Sequence, residues 1–213
     1  MQILIDGQAV EIVPPEGGFD KIAPEISRYC GERKRVVTGY TVDGSLLPGG
    51  AEPEAKGIDA ESIQKIEVST STIREIAAEV FRGCAEHIPN LIQGFSDAVR
   101  QFRKGDQREG MVVTENALSL WLAVQEGAES GMKALGLNWD SVVAPGSKEG
   151  DPALPAGQVL VEINRLLDET HRVMESGDTV ELGDIFDYDL PPLLRAYQSA
   201  LYLFAEKAME TVH

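Results

Sequence analysis

The chain has 213 residues, 43% hydrophobic and 25% charged, and its 35 acidic against 19 basic side chains give a formal net charge of −16. That length holds one large domain or two small ones, and the apolar fraction is that of a folded chain rather than a disordered one. The acidity argues against nucleic acid, whose phosphates need a basic face, and against anionic membranes.

The N-terminus reads as neither a signal nor a transit peptide, and no apolar run approaches the ~20 residues of a membrane span. A soluble, cytoplasmic protein is expected. Residues 2–5 and 8–13 are short apolar or alternating runs joined by Asp6-Gly7, a strong hairpin signal. Pro14-Pro15 and Gly17-Gly18 then break the chain. Ile22, Ile26 and Tyr29 mark one face of a helix from about Phe19 to Tyr29, closed by Cys30-Gly31.

Val36 to Val42, rich in β-branched and aromatic residues, reads as a third strand. Asp43-Gly44 leads into a Gly/Pro-rich loop over 43–57, either a mobile segment or a docking element. Ile63 to Val68 alternates as a fourth strand. Strand, strand, helix, strand, strand fits a small α+β domain with the helix across one sheet face. The same order resembles the β-grasp, or ubiquitin-like, fold. Modifiers and sulfur carriers of that fold end in an exposed Gly-Gly tail, whereas here Ser69-Thr70-Ser71-Thr72 runs on into a helix. The resemblance therefore implies a docking module.

Thr72-x-x-Glu75 is a capping box that opens the first long helix. Its stripe runs Ile73, Ile76, Val80, Cys84, Ile88, Leu91, Phe95, Val99, Phe102. Pro89 predicts a kink near Glu86-His87 rather than a break. Gly105-Asp106 follows and recurs as Gly177-Asp178, 72 residues later. At that offset Phe95 falls on Leu167, Phe102 on Met174, Trp121 on Leu193 and Ala128 on Ala200. Gly ends one helix in the left-handed conformation, and Asp caps the next, with Glu109 or Glu181 at the third position to close a box.

The second helix turns Val113, Ala117, Leu120, Trp121, Val124, Ala128 and Met132 inward and ends near Gly136. Prolines and glycines over 145–157 predict a flexible crossover. Leu160, Ile163, Leu167, Thr170 and Met174 stripe the third helix, and Leu182 to Phe204 the fourth. Within the fourth, Pro191-Pro192 predicts either a kink or a new segment capped by Asp189. The expected fold is thus α+β: a ββαββ domain over 1–69, then an antiparallel four-helix bundle of two helical hairpins over 70–213.

Common catalytic, nucleotide and metal motifs are absent, so no catalytic residue, cofactor or resident metal is expected. Cys84 lies on an apolar stripe and reads as a small buried hydrophobe. Asp184, Asp187 and Asp189, with Glu181, either solvate a helix exterior or hold a hard cation. Asp168-x-x-His171 is either a surface ion pair or an oriented imidazole. Trp139, Tyr188 and Tyr197 are the candidate partner-binding aromatics. For Trp139, at the end of the second helix, pinning of the crossover is the favoured reading.

Through residues 35–44, 63–70 and 184–197 the chain resembles a group of uncharacterised two-domain bacterial proteins. Through FRKGDQREGMVVTENALSL (102–120) the helical part is loosely similar to flagellar and secretion export chaperones, from which it departs by its N-terminal sheet domain. That likeness implies grooves offered to a partner's helices. The expected function is a non-catalytic protein-binding adaptor or chaperone-like scaffold. The rival is a metal-binding or enzymatic bundle using Asp184, Asp187 and Asp189, and homodimerisation through the bundle is a third expectation.

Overall fold

A computed structural model describes residues 1–13, 17–47, 62–146, 150 and 152–210. The chain divides into two compact units, Met1–Ile76 and Ala77–His213. The architecture is α+β, a mixed sheet followed by about five helices.

In the first unit β1 (Gln2–Ile5), β2 (Gln8–Val10), β3 (Arg35–Val42), β4 (Ser45–Leu47) and β5 (Lys65–Thr72) form one sheet of order β2-β1-β5-β3-β4. β1 and β5 pair in parallel at its centre, and the other pairings are antiparallel. Two Asp-Gly turns make the edge hairpins. Asp6 and Gly7 (φ 49° and 80°), like Asp43 and Gly44 (47° and 84°), have the paired positive φ of the tight turn that matches strand twist. The second turn corrects the four-strand reading, because Ser45–Leu47 comes back as an edge strand rather than entering a loop. The rest of the expected loop, 48–57, lies outside the described residues.

β5 also outruns the expected strand. Ser69–Thr72 stays paired with Arg35–Gly39, and Asp6 clamps it: its carboxylate accepts from Thr70 N at 2.9 Å and Thr70 Oγ1 at 2.6 Å. Arg35 Nε stands 3.3 Å from the same carboxylate. Burial works to raise the Asp6 pKa, but the Thr70 hydrogen bonds and the Arg35 guanidinium outweigh it and hold it below its ordinary value. α1 (Phe19–Gly31) crosses one face of the sheet, burying Phe19, Ile22 and Ile26 among Ile3, Tyr40, Ile66 and Val68.

At the start of α2 (Ile73–Arg103) the box is complete: Glu75 N–H donates to Thr72 Oγ1 and Thr72 N–H to Glu75 Oε2. α2 continues through Pro89 as a single helix. The proline leaves the Ala85 carbonyl without its helical donor, and Gln198 Nε2 supplies one at 2.9 Å. α3 (Gln107–Leu135) begins after Gly105 (φ 84°), with Asp106 Oδ1 accepting from Glu109 N. The reciprocal half of this box does not form, because Asp106 N–H donates to Gln101 O.

α3 lies antiparallel to α2. A Cβ on Gly110 would stand 2.6 Å from the Phe102 ring, and one on Gly131 2.9 Å from the Phe81 ring. β6 (Val143–Ala144) and β7 (Leu154–Pro155) pair across the crossover, so its two ends are held together; 147–149 and 151 lie outside the described residues. Trp139 packs on Tyr197 and Phe204, with ring centroids at 5.9 and 5.5 Å, and Lys207 Nζ donates to Ser141 O.

α4 (Ala156–Ser176) ends at Gly177 (φ 72°). Asp178 then caps α5 (Thr179–Asp184), accepting from Val180 N and Glu181 N. Of the expectations for Pro191-Pro192, a new segment does begin there, α6 with the prolines in its first turn, but without a side-chain cap from Asp189. The run continues through a π turn, Ile185–Asp189, into α6 (Leu190–Met209), and Leu190 N–H donates to Ile185 O. Asp189 is helical and caps nothing through its side chain. A wider i→i+5 turn accommodates two successive residues that lack N–H groups and whose rings would meet the carbonyls a turn earlier. α4 and α6 pack together, and α6 packs on α2 through Phe204 and Phe81.

Candidate functional site

α3 and α4 flank a groove. Its cavity of about 590 Å³ is lined on one wall by Met111, Thr114, Glu115, Leu118, Leu122 and Gln125, with Trp121 buried at the base. Asn164, Leu167, Asp168, Thr170, His171 and Met174 form the opposite wall. Helical periodicity puts these side chains there, since Met111, Leu118 and Leu122 repeat at seven and four beside the inward stripe of α3. The result is an apolar arc wider than one neighbouring helix covers, and Leu122 remains 58% exposed.

Two buried threonines keep the walls apolar. Thr114 Oγ1 donates to Gly110 O at 2.8 Å and Thr170 Oγ1 to Leu166 O at 2.9 Å, so both hydroxyls are satisfied within their own helices. Trp121 meets Tyr197 edge-on, 5.4 Å between centroids. A smaller cavity lined by Phe102, Leu182 and Asp178 shares Met111 and Met174 with the groove, and so extends it toward the Gly177-Asp178 corner.

The sequence-derived candidates distribute unevenly around this site. Asp168 and His171 both line the groove. Trp139 is half-buried and ties the crossover to α6, as the pinning reading has it. Tyr188 is 65% exposed on the π turn. Tyr197 is fully buried, which corrects its choice as a partner-binding residue: the α6 stripe carries it into the core between Trp121 and Trp139. Its hydroxyl is a buried polar atom without a hydrogen-bond partner among the described residues, and burial, then Cys84 and Glu129, push its pKa above the ordinary range.

Asp187 pairs with Arg103 Nη2 at 3.1 Å. Among the described residues no three His, Cys, Asp or Glu side chains converge to hold a metal ion, Asp184, Asp187 and Asp189 included. The helix turns Asp187 toward α2, where an arginine already compensates it. Cys30 and Cys84 are free and buried, burial raises both thiols, and Cys84 Sγ lies 3.4 Å from Val124 O as its donor. No helix among the described residues is long and apolar enough to cross a membrane.

Sequence reasoning missed Met111, Leu122 and Asn164 as site residues. The available signal was the second apolar row on α3, which an inward-stripe reading passes over.

Residues 79–200 match the family model described as Domain of unknown function (DUF8042), and residues 1–72 match the TP0873 N-terminal domain. The first match spans more than half of the chain, which therefore belongs to the DUF8042 family. Neither description refers to a chaperone. No curated protein and no solved structure matches the chain.

Proposed function

We propose that this member of the DUF8042 family is a non-catalytic, cytoplasmic binding protein, an adaptor or chaperone-like scaffold whose helical unit engages a helical segment of a protein partner. The observation that carries the reading is the α3/α4 groove, where Leu118, Leu122 and Leu167 line a cavity of about 590 Å³. Along α3 the lining runs from Met111 to Gln125, ~21 Å at ~1.5 Å per residue. Burying such a row against an incoming apolar stripe is the usual chemistry of helix-in-groove recognition.

The order β2-β1-β5-β3-β4 with α1 on one face supports a β-grasp-like docking module. α2, α3, α4 and the α5-to-α6 run support a four-helix bundle left open between α3 and α4. A second reading takes a small apolar ligand, because the cavity falls within the ~300–1,000 Å³ of small-molecule sites. Self-association through the same groove is a third.

A photo-activatable residue at position 122 of the full chain, expressed in cells that produce the protein, tests this. One discrete heterologous adduct is expected there and none at position 202, which is exposed on α6. Equal adducts at both positions, or none at 122, would overturn the protein-partner reading, and an adduct of twice the chain mass would replace it with a dimer.

A further inference from the structure

The groove has a charge pattern that its apolar lining does not require. Glu115 stands on the α3 wall and Asp168 on the α4 wall, and no Lys or Arg is among the residues lining the cavity. Both carboxylates are exposed, and neither has a basic partner within 4 Å among the described residues. Neighbouring acids on α4 are treated differently: Glu162 and Glu169 are both compensated by Arg165, at 2.9 Å each. The acid that each wall of the groove presents beside the apolar strip has no such arginine among the described residues.

We infer that the groove selects a cationic amphipathic helix, whose apolar stripe covers Leu118, Leu122 and Leu167 while Lys or Arg on each flank pairs with Glu115 and Asp168. This rests on the helix-docking reading above and adds to it the partner's charge. The arrangement is that of a coiled-coil seam, where charges beside the apolar row choose the partner. Uncompensated acids on both walls disfavour an acidic or neutral-flanked helix, which would leave them unpaired at a partly desolvated rim. A net charge of −16 acts in the same direction at longer range. Met111 and Met174, which line both the groove and its extension, supply flexible apolar surface that adapts to different stripes.

Three labelled helical peptides of about 18 residues, long enough for the ~21 Å groove, test the inference. They share one leucine stripe and carry Lys, Gln or Glu on both flanks. Fluorescence anisotropy with the full chain is expected to show the Lys peptide binding about tenfold more tightly than the Glu peptide at low salt. In Glu115→Lys/Asp168→Lys the order should invert. Glu79→Lys/Glu86→Lys changes the net charge equally on exposed positions of α2 outside the groove lining, and should leave the order intact. An unchanged order in the groove variant, or the same shift in both variants, would overturn the charge selection while leaving the docking reading in place. If none of the three peptides binds, the docking reading itself falls.

Discussion

The first hairpin, α2 with α3, seats phenylalanine rings on glycines: Phe102 on Gly110 and Phe81 on Gly131. The second, α4 with α5 and α6, has nothing equivalent. Moving 72 residues on, Gly110 becomes Leu182, Gly131 becomes Leu203 and Phe102 becomes Met174. There the helices make their closest approaches through α4 and α6, α6 buries Ala196, Ala200, Ala205 and Ala208, and the run is widened by a π turn ahead of Pro191-Pro192. Only the corners agree, each with a left-handed glycine and an aspartate cap. A shared apolar stripe thus fixes which side of each helix faces inward but not what it meets. Steric fit, which differs between glycine and leucine at the same repeat position, decides that.

The contrast is broken most directly at Gly131. Gly131→Val forces a branched side chain against the Phe81 ring and should cost about 2–3 kcal/mol by chemical denaturation. Leu203→Ala at the matching place, already 38% exposed, should cost less than about 1 kcal/mol. Similar losses at the two positions would show that the hairpins pack alike. The tie between the hairpins is next. Gln198→Leu strips the Ala85 carbonyl of its donor and should cost about 1–2 kcal/mol. Adding Pro89→Ala restores a helical N–H and should recover most of it, and a double-mutant cycle showing simple additivity would remove the compensation.

The corners sharpen the comparison from the side of likeness. Asp106→Ala and Asp178→Ala should each cost about 1 kcal/mol, with the larger loss at Asp178, which accepts from two N–H groups where Asp106 accepts from one. The sheet unit gives the smallest effect and lies outside both hairpins. Asp6→Asn should cost less than about 1 kcal/mol, since the pair is partly solvated. Its pH dependence has a fixed sign. The folded pKa is lowered, so the stabilisation is present above the unfolded value of about 3.9 and fades as pH falls through the folded one. Wild type and variant should therefore converge in acid, and a gap that widens below pH ~4 would contradict the Asp6–Thr70–Arg35 arrangement.

Much of this was legible in the residues. The Gly-Asp corners, the Thr72–Glu75 box, the Asp6-Gly7 hairpin and most of the buried stripe follow from local rules that act within a few residues. The departures are places where a distant group intervened. β5 runs to Thr72 because Asp6 and β3 hold it. Tyr197 is core because two tryptophans surround it. Of the groove, Asp168 and His171 stood out in the sequence, whereas Met111 and Leu122 lie beside the inward stripe and gave no local signal of their own.

By itself, then, the sequence determined the element types, the faces that turn inward, the caps and the acidic surface, all consequences of backbone preference and periodicity over a turn or two. Tertiary structure alone decided the central parallel pairing of β1 with β5, the π turn that carries two prolines, and the opening between α3 and α4. Those depend on which apolar arcs find a neighbour wide enough to cover them. That is a property of side-chain volumes brought together from different elements, and no window of a turn or two contains it.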